Sequence, residues 1–385
     1  MQRATLFLLT VLVGAVGSAS AQDVHMETAR RVLASTPLID GHNDLPWAIR
    51  QSEIAPHDVE ADAHDLRGAT PFHTDVDRLR AGMVGGQFWS VYIPYESVEY
   101  GAAMTQLEEI DIALQIVDRY PDVFELALDV SDVERAFGAG KIASMIGMEG
   151  GHAIENSLGA LRAFFAMGVR YMTLTHNGTL DWADAANGEA RHGGLTEFGR
   201  EVVREMNRMG MLVDLSHTSP ETMNDALDVA EAPVIWSHAS ARGVRDHPRN
   251  VPDQVLRRLP DNGGVVMITF VPSFVSANDQ ATIADVADHV DHVANVAGID
   301  HVGIGSDFDG IDSTPVGLED VSTFPALFAE LSRRGWTEEE LRKLAGENVL
   351  RAWREAETVA RRLQRERSPS TKTIEQLDGP ISNDR

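Results

Sequence analysis

Short runs of apolar residues rich in Val, Ile, Leu and Met alternate along the chain with longer stretches in which apolar positions recur at helical spacing. The apolar runs cover residues 38–41, 87–93, 142–148, 169–175, 211–215, 234–237, 264–270 and 301–306. Runs this short and this continuously apolar suit strands of a parallel sheet, which is covered on both faces. Between them, the stretch 282–297 places Val286, Val290 and Val293 on one side of a helix, and 195–209 gathers its charged residues on one face. Eight such β-then-α units predict a (β/α)8 TIM-like barrel; the same alternation also permits an open doubly wound sheet.

No linker-like composition interrupts residues 22–365, so they are expected to form one domain. The first 21 residues carry Arg3, an apolar run over 6–16 and the small-residue pattern Ala19-Ser20-Ala21. This reads as a signal peptide cleaved near Ala21, with export to the periplasm or beyond, because the run is shorter than the roughly 20 residues of a spanning helix. The polar stretch 366–385 is expected to be a flexible tail, and it offers no hydrophobic segment for a lipid anchor. With 43% hydrophobic and 24% charged residues among 385, the chain has material for a sizeable core. A formal charge of −26, from 33 Lys plus Arg against 59 Asp plus Glu, argues against nucleic acid or an anionic membrane as partner. An exported chain without cysteine has no disulfides, so its stability rests on core, metals or assembly.

The ionisable residues fall where the strands end. His42 and Asp44 follow the first run, Glu149 the third, His176 the fourth, His217 the fifth, His238 the sixth and Asp307 the eighth. In a barrel these C-terminal ends converge on the face that carries the active site. His42 and Asp44 are alternate residues of an extended segment and present a nitrogen and an oxygen to the same side. Glu149 has two glycines behind it, which leaves room for close approach, and two apolar runs finish in Ser216-His217 and Ser237-His238. Three histidines and two carboxylates form a ligand set for zinc, manganese or cobalt. Five ligands exceed the four of one zinc ion, and a carboxylate has two oxygens. Glu149 is therefore expected to bridge two ions, one held by His42 and Asp44, the other by His217 and His238. Such a pair generates hydroxide near neutral pH and polarises a carbonyl, so the expected barrel is of the metal-dependent hydrolase type. The sequence holds no H-E-x-x-H helix, G-x-S-x-G elbow or phosphate loop, and Asp307-Phe308-Asp309-Gly310 lacks the later ligands of a calcium loop.

The strings LIDGHNDLPW (38–47), GMEGGHAI (147–154), YMTLTHN (171–177), LVDLSHTS (212–219), PVIWSHASAR (233–242), RNVPD (249–253) and GIGSDFDG (303–310) resemble, in order, those of the membrane (renal) dipeptidases. These are zinc peptidases that cleave dipeptides on a (β/α)8 barrel. Mammalian members carry disulfides and a lipid anchor; this chain is more similar to the exported bacterial members. The resemblance implies that His42, Asp44, Glu149, His217 and His238 bind two zinc ions with Glu149 bridging, and that His176, Arg249 and Asp307 contact the dipeptide substrate. It also implies a homodimer. Arg249 then clamps the free carboxylate with a planar fork of donors, and His176 donates to the developing oxyanion. Asp307 either holds the substrate ammonium or takes the proton of the attacking water. His152 and His192 are read as structural or as partners standing behind the ligands. A lactone, lactam or dehydropeptide hydrolase on the same barrel, and a binding protein without activity, are the rival readings.

Overall fold

The computed structural model describes residues 16–278 and 280–380; most of the expected leader, at 1–21, lies outside them. Among the described residues there are nine parallel strands: β1 Leu38–Asn43, β2 Val84–Tyr92, β3 Phe124–Leu126, β4 Ile142–Glu149, β5 Val169–Thr173, β6 Leu212–Asp214, β7 Ile235–Ala239, β8 Val265–Ile268 and β9 Val302–Ile304. The order β2-β1-β9-β8-β7-β6-β5-β4 returns to β2 through seven paired residues of β4, so eight strands close a barrel. Closure decides for the (β/α)8 barrel over the open sheet. The unanticipated β3 pairs only with residues 142–144 of β4, before β5 takes over that edge at Ile146.

Side chains alternate across each strand. Ala143 and Met145 of β4 pack inside the barrel with Ile39, Phe88, Tyr171, Leu212, Ile235, Val265 and Met267. Their neighbours Ile142, Ile146 and Met148 face the surrounding helices. The inner cluster continues into Val349 and Trp353 of helix Asn348–Glu366, which plugs the barrel where the strands begin. Following the same parity upward, Gly147 and then Glu149 stand on the inner column of β4. A Cβ at Gly147 would lie 2.0 Å from Cζ of Tyr171, so the buried tyrosine ring occupies the place of a side chain there. The apolar floor and the ionisable ceiling of the barrel are thus consecutive turns of one strand pattern.

The expectation of a flexible tail is corrected over residues 367–380. The side chain of Ile374 is buried, helix Ile374–Asp378 starts with a capping box at Thr373, and the Asp378 carboxylate accepts from the Phe198 backbone N–H at 3.3 Å. Polar composition misled because this segment docks through hydrogen bonds to a helix flank, with one apolar anchor. Among the described residues no helix is long and apolar enough to cross a membrane.

Candidate metal centre

Glu149 ends β4 on the inner column, and three histidines converge on it. Its Oε1 lies 2.9 Å from His217 Nε2 and 3.3 Å from His238 Nε2, and its Oε2 lies 3.5 Å from His42 Nε2. The backbone is bent to achieve this. His42 sits at a ladder irregularity between Asp40 and Asn43, and His238 at another between Trp236 and Ala239; such irregularities re-aim side chains at barrel rims. His217 and Asp307 both adopt left-handed backbone, at φ 65° and 72°. Asp44 Oδ2 lies 3.2 Å and Asp307 Oδ1 4.0 Å from His42 Nε2, while His176 Nε2 lies 4.0 Å from Glu149 Oε1. Arg249, only 2% exposed, donates from Nη2 to His238 Nε2 at 2.9 Å. All eight residues singled out from the sequence therefore belong to one linked set.

The protons of the imidazoles can be assigned from their neighbours. The Tyr171 hydroxyl donates to the Gly41 carbonyl at 3.2 Å, so it accepts from His42 Nδ1 at 2.9 Å. His217 Nδ1 donates to Asn177 Oδ1 at 3.3 Å. Arginine has only donors, so His238 Nε2 facing Arg249 is the unprotonated nitrogen. His217 and His238 thus turn Nε2 lone pairs toward the centre, and His42 turns its Nε2 there with Nδ1 already committed to Tyr171. The His217 and His238 Nε2 atoms stand 2.9 Å apart with no proton between them, and His42 Nε2 and Asp44 Oδ1 are buried without a hydrogen-bond partner. Facing lone pairs and buried polar atoms without partners are what a cation site presents to its ion. His42, Glu149 and His238; Glu149, His176 and His217; and His42, Asp44 and Asp307 each offer three ligand atoms within 4.8 Å of one another.

Electrostatics agree for two of the three rings; at the third, burial is outweighed by Tyr171, Asp44 and Glu149, which hold His42 well above the ordinary histidine range and make it the cationic member of the set. Burial, reinforced by Arg249 and by neighbouring imidazoles, holds His217 and His238 well below the ordinary histidine range, neutral as metal ligands must be. Burial pushes Glu149 up, but the charge of His42 beside it outweighs this and keeps the carboxylate ionised. Asp307 is held well above the carboxylate range by burial, with Asp44 and Glu149 adding to it against His42 and Arg249. Burial lowers Arg249 to about 10, so it stays charged at neutral pH, yet its Nε and Nη1 have no partner.

Some parts of the site were not read from the sequence. Tyr171 and Asn177, which orient His42 and His217, stand in the YMTLTHN string; Tyr92 lies against His176 with ring centroids 4.8 Å apart. Inward parity on β2 and β5 is the signal that would have found Tyr92 and Tyr171. His152 and His192 contact backbone carbonyls, Ile93 at 3.2 Å and Leu180 at 2.9 Å. A cavity of about 1140 Å³ lies beside the centre, lined by Tyr95, His152, Trp182, His192 and Ile374, with none of the eight residues in its wall.

The sequence matches the membrane dipeptidase family, peptidase family M19, over residues 26–367. A metallopeptidase of Rhodobacter sphaeroides, solved with a phosphinate mimic of the dipeptide L-Ala-D-Ala, is 26% identical and superposes with a TM-score of 0.74 over 83% of this chain and 99% of its own. Dipeptidase AC, a metallopeptidase of family M19, is 27% identical with a TM-score of 0.73 over 83% and 98%. The probable dipeptidase PvdM of Pseudomonas aeruginosa, 22% identical, shares the fold with a TM-score of 0.80 over 88% and 100%. With a barrel whose rim gathers imidazoles around a carboxylate and a family match across nearly its whole length, the chain belongs to the membrane dipeptidases and is a metal-dependent hydrolase of peptide bonds.

Proposed function

We propose that this dipeptidase holds two divalent cations, zinc ions, on His42, Asp44, Glu149, His217 and His238, with Glu149 bridging them, and that it recognises dipeptides by both charged ends. Bound there, the ions supply Lewis acidity and an activated water. The observation that carries the two-ended reading is Arg249: a buried guanidinium with two N–H groups unpartnered and a ring beneath it, its Cζ 5.1 Å from the Phe274 centroid. A planar fork in that state is complementary to one free carboxylate. The dipeptide mimic bound by the Rhodobacter sphaeroides relative supports the same substrate class.

In this reading Arg249 fixes the C-terminal carboxylate and so sets the position of the scissile carbonyl. His176, kept neutral chiefly by burial, donates an N–H to the oxygen that gains charge as the carbonyl becomes tetrahedral. Asp307 is held in its protonated form by burial beside Asp44 and Glu149; the charge of bound cations would favour its ionised form, in which it either holds the substrate ammonium or takes the proton of the attacking water and passes it to the leaving amine. The C–N bond then breaks and both amino acids leave. Export after cleavage near Ala21 and a homodimeric assembly belong to the same proposal.

Metal analysis combined with a substrate panel tests it. We expect two ions per chain and a kcat/KM for dipeptides far above those for tetrapeptides, C-terminally amidated dipeptides and lactones. One ion per chain would reject the bridge, and equal rates on amidated dipeptides would reject the clamp.

A further inference from the structure

We infer that Asp214 and Ser237 form a hydrogen-bonded relay that fixes which nitrogen of His238 carries the proton, which makes them positioning residues for the metal centre. The inference rests on the reading of His238 as a metal ligand.

Asp214 ends β6, fully buried, directly beneath the histidines. Its two oxygens have different partners. Oδ1 accepts from the backbone N–H groups of Ser216 at 3.1 Å and Ser237 at 2.8 Å. Oδ2 accepts from the hydroxyls of Thr173 at 2.5 Å and Ser237 at 2.6 Å. Four donors on one carboxylate leave it no proton of its own to give. A serine hydroxyl has a single proton, and here it points at Asp214. Toward His238 Nδ1, 2.9 Å away, Ser237 Oγ can therefore only accept. The proton sits on Nδ1, and Nε2 faces Glu149, His217 and Arg249 as a lone pair. Ser216 completes the arrangement by accepting the His238 backbone N–H at 3.1 Å, with its hydroxyl 3.3 Å from Ser237 Oγ. Three adjacent strands, β5 through Thr173, β6 through Asp214 and β7 through Ser237, are thus tied into one layer whose output is the tautomer of a single imidazole. Partners of this kind both orient a ligand and raise its basicity.

The arrangement makes a directional prediction for Asp214→Asn. The amide oxygen must stay on the side of the two backbone N–H groups, because these cannot accept. The NH₂ therefore faces Thr173 and Ser237 and donates to them. Ser237 then turns its proton to His238 Nδ1, which becomes the acceptor, and the ring proton moves to Nε2, where it blocks the centre. A wrong-tautomer effect of the same origin is known for the buried aspartate of serine protease triads.

The test uses the full chain stripped of metal and titrated with Co²⁺ alone, following the visible absorption of the bound ion, with ¹⁵N-histidine spectra of the metal-free protein reporting ring tautomers. Asp214→Asn and Ser237→Ala are expected to weaken Co²⁺ binding about 10- to 100-fold, the range typical for such partners. His238 is expected to appear as the Nδ1–H form in the parent protein and as the Nε2–H form in Asp214→Asn. Ser237→Ala deletes one hydroxyl and decides the matter if Asp214→Asn does not fold. Unchanged Co²⁺ affinity in Ser237→Ala, or an Nδ1–H ring in folded Asp214→Asn, overturns the relay. His238→Ala separates the two levels: full Co²⁺ binding there sinks the metal-ligand reading itself, whereas loss there with full binding in the other two sinks the relay alone.

Discussion

A buried guanidinium with two free N–H groups is unfavourable until an anion reaches it, and buried imidazole lone pairs 2.9 Å apart are unfavourable until a cation does. Arg249 and the Glu149 cluster thus define opposite appetites within one pocket, and two substitutions separate them. Arg249→Lys keeps the charge and loses the fork. Charge-assisted hydrogen bonds of the kind it would make are worth about 1.5–3 kcal/mol, so kcat/KM for dipeptides should fall roughly 10- to 150-fold, while the rate on a C-terminally amidated dipeptide should hardly move. A parallel loss on both substrates would show that Arg249 does not read the carboxylate. Glu149→Gln keeps shape and loses the bridging charge. Metal content by mass spectrometry should drop by at least one ion per chain and kcat by at least roughly 100-fold, with the far-UV spectrum unchanged; undiminished metal content would reject the bridge. These residues were legible in the sequence because their types are rare at the ends of apolar strands. Asp214, Ser237 and Asn177 were not, because such residues become informative only once the direction of their hydrogen bonds is known, whereas Tyr171 needed only its inward parity on β5 to be noticed.

At the scale of elements, what matters is how strands and helices hold those atoms still. Strand β4 does so through Gly147, whose missing side chain admits the Tyr171 ring that in turn receives the His42 Nδ1 proton. In Gly147→Ala the new methyl meets that ring, and overpacking of this kind costs about 1–3 kcal/mol. We expect a lower denaturation midpoint together with weakened metal binding, whereas a purely structural role would move only the first. Helix Ile283–Ala297 acts from outside the barrel. Its buried His289 accepts the Ala241 backbone N–H on Nδ1 at 3.0 Å and donates from Nε2 to the Val275 carbonyl at 3.1 Å. It thereby pins the end of β7 to helix Pro272–Val275, which carries Phe274 beneath Arg249. Burial lowers His289 to about 4, below the roughly 6.5 of an unfolded chain. Between those values the unfolded state binds the proton and the folded state does not, so this histidine makes stability fall as pH drops from about 6.5 toward 4. Relative to His289→Gln, the parent protein should lose up to about 3 kcal/mol between pH 7 and 4; parallel pH profiles of the two denaturation midpoints would remove His289 from the account.

For the molecule as a whole, the period of the apolar runs was enough to anticipate eight of nine strands and the barrel, since strands covered on both sides must be apolar whatever else they do. β3 escaped because three residues at one corner of β4 leave no period to read. The chain end escaped for a different reason. Its polar sequence suggested freedom, yet the structure seats it along helix Glu197–Met209: Ser370 Oγ donates to Glu201 at 2.6 Å, Arg162 donates to the Ser370 carbonyl at 2.9 Å, Lys372 pairs with Glu201 at 3.2 Å, and Asp378 caps the helix start at Phe198. Removing residues 367–385 tests whether this seat is part of the folded unit. The exposed pairs contribute little, but burying Ile374 is worth about 1.5–3 kcal/mol and a helix cap about 1. At roughly 2–4 °C per kcal/mol for a large domain, the truncated protein should melt about 5–15 °C lower. Its kcat on a dipeptide should stay within about twofold, because the segment borders the side cavity, whose wall includes none of the eight residues of the centre. Ile374→Ala should reproduce a good part of the shift, which assigns it to the apolar anchor. An unchanged melting temperature in both variants would mean that the segment is a tail after all, and that the barrel is complete at the end of helix Asn348–Glu366.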